Sequence, residues 1–339
     1  MESYSNVKDI RYGYKVVEGL GRELSSFVAV TMDVPWKIVG PKLGKQPTEL
    51  VMVENMTQSS VDRILQKVGT HEAVIAIGGG QAIDMGKYLS WKKGMKMISV
   101  PTIISTNAFV TPSVGIRRGT SVVYLGDVTH DLVVVDYDII CGAPFELNIV
   151  GTGDILSGHV GSHDWEIAHS AGVSERTYPF ETERVGRMRA IIDRIDVDAG
   201  EIAEMTPAGV RSVVEAYLGI NQICLPAGHF RAEEGSEHFF AYNVERITGR
   251  VFVHGKLVAL GIDIMSRLQG NNHTRIVGIM DRLGLPHSPK ANGLSTSEVI
   301  EALETLPEFV KANKMWYSVI DDKGIDEAFI QNVVADLEF

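Results

Sequence analysis

Short β-rich runs alternate with helical patterns in the first half of the chain. Apolar and β-branched runs predict strands at residues 26–32, 49–53, 73–77, 96–100, 122–124 and 132–135. Apolar side chains at helical spacing predict helices at 57–68 and 81–91. Because strands that alternate with helices favour a parallel sheet covered on both faces, we predict an N-terminal Rossmann-like α/β domain.

The strand signal fades in the second half, where the pattern is almost wholly helical from about residue 148 onward. The main predicted helices are 155–171, 180–195, 207–223, 235–247, 255–268 and 274–283. At roughly 150 residues per domain, the length also favours two domains. We therefore predict an α/β domain over residues 1–147 and an all-α domain over 148–339. A cleft between two such domains is a usual place for a ligand.

Charge and composition exclude several classes of partner. The chain has 32 Lys and Arg residues against 43 Asp and Glu residues, a formal net charge of −11, whereas nucleic acid and anionic membranes need a basic surface. No apolar run approaches the roughly 20 residues of a membrane span, and the polar N-terminus is unlike a signal peptide. Two cysteines, Cys141 and Cys224, allow at most one disulfide. We expect a cytoplasmic homo-oligomer that acts on a small molecule.

A glycine turn joins the strand predicted at 73–77 to the helix that follows it. Gly78, Gly79 and Gly80 would let the backbone approach a diphosphate closely, and the helix N-terminus would offer free N–H groups. The spacing differs from the G-x-G-x-x-G fingerprint of dinucleotide-binding turns. A diphosphate site and a purely structural strand-to-helix turn therefore both remain open.

Polar residues follow two other predicted strands of this domain. Asp33 comes after the first of these strands, where a carboxylate can accept hydrogen bonds from ribose hydroxyls and would favour NAD over NADP. Thr102, Ser105 and Asn107 follow the strand at 96–100, at the sheet edge where ligands bind in open α/β sheets. A solvated loop aspartate and an ordinary hydroxyl-rich loop are the alternative interpretations.

Three separated residues of the helical half are metal-ligand candidates: Asp154, His238 and His254. A carboxylate and two imidazoles suit zinc or another divalent transition metal, and three protein ligands leave a position open for substrate. Their spacing matches no local metal motif, so locally hydrogen-bonded histidines are the alternative. His159 and His163, four residues apart on one predicted helix, are a rival pair.

Six short motifs occur in a characteristic order along the chain, at residues 78–84, 100–105, 111–112, 153–156 with 164–165, 235–238 and 254–255. In this order they resemble the iron-containing alcohol dehydrogenase and dehydroquinate synthase superfamily, and within it the sn-glycerol-1-phosphate and glycerol dehydrogenases. The resemblance spans residues from about 27 to 268. It implies a dehydroquinate synthase-like fold, in which the parallel-sheet domain precedes the helical domain.

The resemblance also implies roles for individual residues. The positions that would meet NAD or NADP are Gly79, Gly80 and Asp84, with Thr102, Ser105 and Thr111 nearby. Asp154, His238 and His254 would hold one catalytic divalent metal (zinc, or alternatively nickel or iron), with the two histidines on separate helices that face the cleft. The metal would supply Lewis-acid chemistry at the substrate oxygen.

The chain departs from the family pattern around the substrate. Asn107 stands where an aspartate is usual, and Tyr242 replaces the second histidine of the pattern S-E-H-x-x-x-H. Arg231 and Arg117 are candidates for binding a substrate phosphate, since a guanidinium binds phosphate bidentately, and ordinary surface charge is the alternative. Tyr242 and His159 are also candidate proton carriers.

These observations favour a metal-dependent, NAD(P)-linked oxidoreductase of a small polyol phosphate, resembling enzymes that reduce dihydroxyacetone phosphate. A sugar-phosphate cyclase that retains its NAD is one alternative. Dehydroquinate synthase usually has a glutamate at the position of Asp154, which argues against it, although residues 113–117 faintly resemble that enzyme's S-V-G-G-K run. A dehydrogenase of an unphosphorylated aldehyde or alcohol and a non-catalytic dinucleotide-binding protein are the others.

Overall fold

A computed structural model describes residues 6–119, 121–174 and 178–339. Contacts divide the chain into two compact units, of which the first ends at Asn148 and the second begins at Ile149. The sequence predicts the domain boundary between residues 147 and 148.

The first unit is an α/β structure. Its strands are β1 (Ile10–Gly13), β2 (Phe27–Thr31), β3 (Glu49–Met52), β4 (Ala73–Gly78), β5 (Lys96–Pro101), β6 (Ser113–Arg118), β7 (Ser121–Asp127) and β8 (Leu132–Asp136). Its helices are α1 (Asp33–Val39), α2 (Gln58–Lys67), α3 (Gly80–Lys93), α4 (Tyr137–Ile140) and α5, which runs Phe145–Ile149 across the division. Among the described residues, six strands form one sheet in the order β1-β8-β5-β4-β2-β3. Every pairing in this sheet is parallel.

The central strands explain why the sheet is parallel and covered on both faces. Every residue of β2, β4 and β8 is buried, so the side chains on both faces of these strands pack in the interior. Near-continuous apolar strands of this kind are typical of parallel sheets that helices cover on both sides.

The strand order places a topological switch point beside the glycine turn. From β2 the chain moves to β3 on one side, and it then crosses to β4 on the other side of β2. Ligands of open α/β sheets bind outside the carboxyl ends of strands at such a point. Here those ends lead directly into Asp33 of α1 and into Gly78, Gly79 and Gly80.

Two strands of this unit were missed in the sequence. The edge strand β1 is only half-buried and contains Arg11 and Tyr12, so it lacks an apolar run. Strand β6 contains Gly115 and ends in two arginines, and glycine weakens a strand pattern. It pairs antiparallel with β7 as a separate hairpin, so the strand predicted at 122–124 is part of a longer strand outside the main sheet.

The second unit is helical, and together the two units confirm the predicted fold class. Its helices are α6 (Thr152–Leu156), α7 (Gly158–Ser170), α8 (Thr182–Val197), α9 (Ala199–Ala203), α10 (Pro207–Ala227), α11 (Ser236–Thr248), α12 (His254–Gln269), α13 (His273–Leu283), α14 (Pro289–Asn292), α15 (Thr296–Ala312), α16 (Val319–Asp322) and α17 (Glu327–Asp336). Within the three described ranges, none of the helices is both long enough and apolar enough to cross a bilayer.

Two features of this unit position its site. The predicted single helix at 155–171 is wrong, because the chain forms α6 and α7 with a break at Ser157. The Ser157 hydroxyl donates to the carbonyls of Asp154 and Glu233, and such local side-chain bonds compete with helix continuation. Helix α12 is buried almost all round, as expected of a central core helix.

Candidate functional site

Asp154, His238 and His254 come together in the second unit. Asp154 lies on α6, His238 lies in the first turn of α11, and His254 is the first residue of α12. One ligand atom from each of the three lies within 4.8 Å of the other two. The His254 Nε2 is 3.5 Å from the Asp154 Oδ1, and the two imidazole centroids are 5.2 Å apart. The predicted ligands therefore form one cluster, with the histidines on separate helices.

Glycines beside two of these residues allow the backbones of α6 and α12 to touch. A Cβ atom on Gly153 would lie 2.0 Å from the carbonyl oxygen of Gly255, and one on Gly255 would lie 1.9 Å from that of Val150. No side chain fits either position without moving backbone. This close approach brings Asp154 next to His254, which explains why a glycine precedes the aspartate and another follows the histidine.

His238 is held by a buried carboxylate on the adjacent residue. Its Nδ1 lies 2.7 Å from the Oε1 of Glu237, which is fully buried. Burial lowers the pKa of His238, but the hydrogen bond with Glu237 and the charges of Glu234 and Asp154 outweigh burial and raise that pKa to about 9. With Nδ1 engaged in this way, Nε2 is the nitrogen left for a metal.

The donor set fits a divalent transition metal. The Oδ1 of Asp154 is buried, and it has no hydrogen-bond partner within the described ranges. A buried carboxylate oxygen left without a hydrogen bond is costly unless a cation or another donor meets it. One carboxylate and two imidazoles that leave a position open are the ligands of catalytic zinc sites and related metals.

Other acidic groups surround the cluster. Burial raises the pKa of Glu233 well above its ordinary value, and the neighbouring charges of Glu234 and Asp154 raise it further. Burial and the charge of Asp154 likewise raise the pKa of Tyr217, whose hydroxyl donates to the carbonyl of Gly151 just before α6. Burial therefore favours the neutral forms of these two groups, and a cation bound at Asp154 would favour their charged forms.

The rival histidines are engaged elsewhere. The Nε2 of His159 lies 2.6 Å from the carbonyl oxygen of Asn271, and the Nδ1 of His163 lies 3.1 Å from the Glu166 carboxylate. The structure groups neither with the Asp154 cluster. Their four-residue spacing therefore does not indicate a second metal pair.

The predicted substrate residues of this unit have different surroundings. The ring of Tyr242 is 5.9 Å from that of His238, one helical turn away on α11. Arg231 is only 2% exposed, donates to the carbonyl of Tyr317, and lies over the ring of Trp316. Tyr242 is thus beside the metal-ligand candidates, whereas a phosphate contact by Arg231 would replace bonds that the guanidinium already makes.

In the first unit, the glycine turn lies against the loop that follows β5. Gly79 precedes α3, and a Cβ on it would be 3.0 Å from the Ile103 side chain. A Cβ on Gly80 would be 3.2 Å from the Thr106 hydroxyl oxygen, and the N–H of Thr102 donates to the carbonyl of Gly78. The turn and the hydroxyl-bearing segment that holds Thr102, Ser105 and Asn107 are therefore neighbours, as their positions after adjacent strands predict.

Two carboxylates predicted to meet the cofactor have cationic partners. Asp33 forms an exposed pair with Lys37, at 2.6 Å. Asp84, whose side chain is 19% exposed, pairs with the buried Lys87 at 2.7 Å and accepts the backbone N–H of Gly115. Burial raises the pKa of Asp84 despite these contacts. Contact of either carboxylate with a dinucleotide stays a prediction.

Lys87 is a structural residue that we missed in the sequence. Its ammonium group is almost fully buried and donates to the carbonyl of Ser113 at 2.6 Å and to that of Thr111 at 3.4 Å. The Thr111 carbonyl also accepts from His130, whose pKa burial lowers to about 3. The three-residue spacing from Asp84 was a signal for the pair, but the burial was not visible. Thr111 thus takes part in these hydrogen bonds through its backbone carbonyl.

Comparison with known proteins found a matching family model and relatives of similar sequence. Residues 32–144 match the family model described as iron-containing alcohol dehydrogenase. A glycerol-1-phosphate dehydrogenase (NAD(P)+) of Aeropyrum pernix is 29% identical over 75% of this chain and 70% of its own length. Its counterpart from Hyperthermus butylicus is 26% identical over 92% of this chain and 89% of its own.

A solved structure shows the same fold. The crystal structure of glycerol dehydrogenase from Schizosaccharomyces pombe superposes with a TM-score of 0.70 at 17% identity, over 98% of this chain and 92% of that one. With the ordered motifs and the Asp154, His238 and His254 cluster, these matches confirm that the chain resembles the iron-containing alcohol dehydrogenase superfamily.

Proposed function

We propose that this protein is a metal-dependent, NAD(P)-linked dehydrogenase of a small polyol phosphate. The convergence of Asp154, His238 and His254 is the observation that carries the proposal. The names of its relatives suggest the substrate class, because the Aeropyrum and Hyperthermus proteins are glycerol-1-phosphate dehydrogenases. The fold alone would not, since one fold serves many chemistries.

The protein's own groups would bind and orient the reactants. A divalent metal, zinc or alternatively nickel or iron, would supply Lewis-acid polarisation of the substrate oxygen when bound. Asp154, His238 and His254 would hold it. We propose that Tyr242, which lies beside His238 on α11, contacts the substrate.

The glycine turn would bind the dinucleotide that exchanges hydride with the substrate. Gly78, Gly79 and Gly80 carry no side chain to obstruct a diphosphate, and the N-terminus of the 14-residue helix α3 begins at this turn. Thr102 and Ser105, in the adjoining loop, are proposed to line the same site. Asp33 and Asp84 are each paired with a lysine. We propose that they contact the dinucleotide only where it displaces that lysine.

An activity screen tests the proposal. Metal-stripped protein is reconstituted with Zn²⁺, Ni²⁺ or Fe²⁺ and assayed with NADH and NADPH on dihydroxyacetone phosphate, on dihydroxyacetone and on small aldehydes. We expect metal-dependent oxidation of the nicotinamide that is fastest with the phosphorylated ketone. No change of nicotinamide absorbance with any carbonyl compound would contradict the dehydrogenase, and a preference for dihydroxyacetone would contradict the phosphate.

We also propose that the protein works in the cytoplasm as a homo-oligomer. Cys141 and Cys224 are free thiols, as is usual in a reducing compartment. Light scattering of the purified protein would test the assembly, and a mass of one 37.1 kDa chain would contradict it.

A further inference from the structure

The first turn of α11 contains a carboxylate that the proposed chemistry does not itself use. Glu237 is fully buried, and its Oε1 accepts the backbone N–H of Gly235 at 2.8 Å. The same oxygen faces the Nδ1 of His238 at 2.7 Å. An ionised carboxylate can only accept hydrogen bonds, so with Glu237 ionised the Nδ1–H of His238 donates to Oε1 in this contact.

We propose that Glu237 is a positioning residue of the metal centre, which holds the His238 ring in the tautomer and orientation that present Nε2 to the metal. The inference deepens the proposed function and rests on it, because the metal in question is the one proposed there. A histidine ligand that donates its second ring N–H to a carboxylate has a fixed tautomer and is more basic.

The backbone around Glu237 is packed tightly enough to serve as a fixed support. A Cβ atom on Gly261 would lie 2.4 Å from the carbonyl oxygen of Glu237, so α12 touches this residue directly. Helix α12 is also the helix that begins with His254. The residue that orients one histidine is therefore packed against the helix that supplies the other.

A second buried carboxylate holds the same turn without touching either histidine. The Oδ2 of Asp164 accepts the N–H of Ser236 at 2.7 Å, and its Oδ1 accepts from Gln269 and from the N–H of Val319. Gly235 lies between the two carboxylates, since a Cβ on it would be 2.6 Å from Asp164 Oδ2 and 3.0 Å from Glu237 Oε2. Asp164 thus supplies a matched control: a buried acid that bonds to the backbone of the same turn and to Gln269.

The test compares Glu237→Gln, Glu237→Leu and Asp164→Asn with the parent protein, all stripped of metal and then titrated with Co²⁺ against a competing chelator. The melting temperature of the metal-free proteins and the visible absorption of the Co²⁺-loaded proteins are measured in parallel. We expect Glu237→Gln to weaken Co²⁺ binding about 10- to 100-fold and to alter its spectrum, as outer partners of metal ligands typically do. Glu237→Leu, which also loses the acceptor oxygen, is expected to weaken it further.

Asp164→Asn is expected to lower the melting temperature while leaving Co²⁺ affinity within about threefold of the parent. Parental affinity and spectrum in Glu237→Gln would overturn the inference, and so would an equal loss of affinity in Asp164→Asn. Should Glu237→Leu fail to fold, the near-isosteric Glu237→Gln still decides. Absence of Co²⁺ binding to the parent protein would instead overturn the proposed function, so the two failures are distinguishable.

Discussion

In the second unit, the residues predicted to bind a metal are side chains that converge, whereas in the first unit the predicted dinucleotide site consists mainly of backbone at a glycine turn. Asp154 leaves a buried carboxylate oxygen without a hydrogen bond from any described residue. Asp33 and Asp84 each already face a lysine. The carboxylates of the two regions thus differ in whether the fold itself supplies the cation.

That difference changes how an aspartate in a sequence motif should be interpreted. A buried carboxylate needs a partner, and an internal lysine satisfies it as well as a ligand does. Asp84 follows the glycine turn in the order that the family resemblance requires, but its neighbour is Lys87. Only the three-dimensional surroundings distinguish a carboxylate that would bind a metal from one that pairs with an internal lysine and stabilises the fold.

His254→Ala is the strongest test of the proposed metal site in the second unit. Removing a direct ligand should weaken metal binding by more than the 10- to 100-fold typical of an outer partner, and turnover should be lost with it. Dinucleotide affinity should change little, because the glycine turn lies in the other unit. Metal content and NADH binding measured on the same preparation check both expectations, and full activity in a metal-free variant would contradict the assignment.

In the first unit the largest effect is expected from Lys87→Met, which leaves the largely buried Asp84 without its cation. Breaking a buried ion pair by removing one partner costs about 3 kcal/mol or more. We expect the free energy of unfolding in urea to fall by about this amount.

A double variant, Lys87→Met with Asp84→Asn, should recover part of that loss because it no longer contains an unpaired buried charge. If the single and double variants were equally stable, the pair would not be the reason these residues face each other.

Gly80→Ala adds one methyl group at the glycine turn and so tests the proposed diphosphate site. Its Cβ would lie 3.2 Å from the Thr106 hydroxyl oxygen, on the surface proposed for the diphosphate. We expect about a tenfold increase in the Kd for NADH, or ~1.4 kcal/mol, with metal affinity unchanged. Isothermal titration of both ligands would measure this.

Gly94→Ala is the matched control at the other end of α3. Gly94 has a φ of +66° and open space around its Cβ position, so alanine there should reduce stability without affecting NADH. Equal effects of the two substitutions on NADH affinity would count against a diphosphate site at the turn.

Asp263 on α12 is a carboxylate that has several hydrogen-bond donors within the protein. It accepts from Arg267 and His273 and pairs with His287. Burial raises the pKa of Asp263, but these bonds outweigh burial and lower it. Burial lowers the pKa of His287, whereas its bonds to Asp263 and Asp281 outweigh burial and raise it.

A raised histidine pKa stabilises the fold fully below the unfolded value of about 6.5, and that contribution is lost as pH rises through the folded value. His287→Gln should therefore reduce the free energy of unfolding more at pH ~5.5 than at pH ~8.5, by about 1 kcal/mol or less for a partly exposed pair. Denaturant titrations at both pH values would measure this, and a larger loss at the higher pH would contradict it.

How much was predictable differs between the two regions. The apolar run of β4 and the glycines after it predict a parallel strand and a tight turn, because local chemistry determines both. Asp154, His238 and His254 lie far apart along the chain, so only the family resemblance linked them. The support from Glu237 is adjacent in sequence to His238, but no pattern indicates that the two side chains would meet. The buried state of Lys87 was likewise invisible, since it depends on where β6 packs.

X-ray absorption spectroscopy of the Zn²⁺-loaded protein would test the proposed metal site, because it counts the atoms around the ion. Asp154, His238 and His254 predict one ion per chain with two imidazole nitrogens and at least one oxygen in its first shell, and loss of one imidazole contribution in His254→Ala. Sulfur scattering, an absence of imidazole scattering, or an unchanged spectrum in that variant would contradict the site.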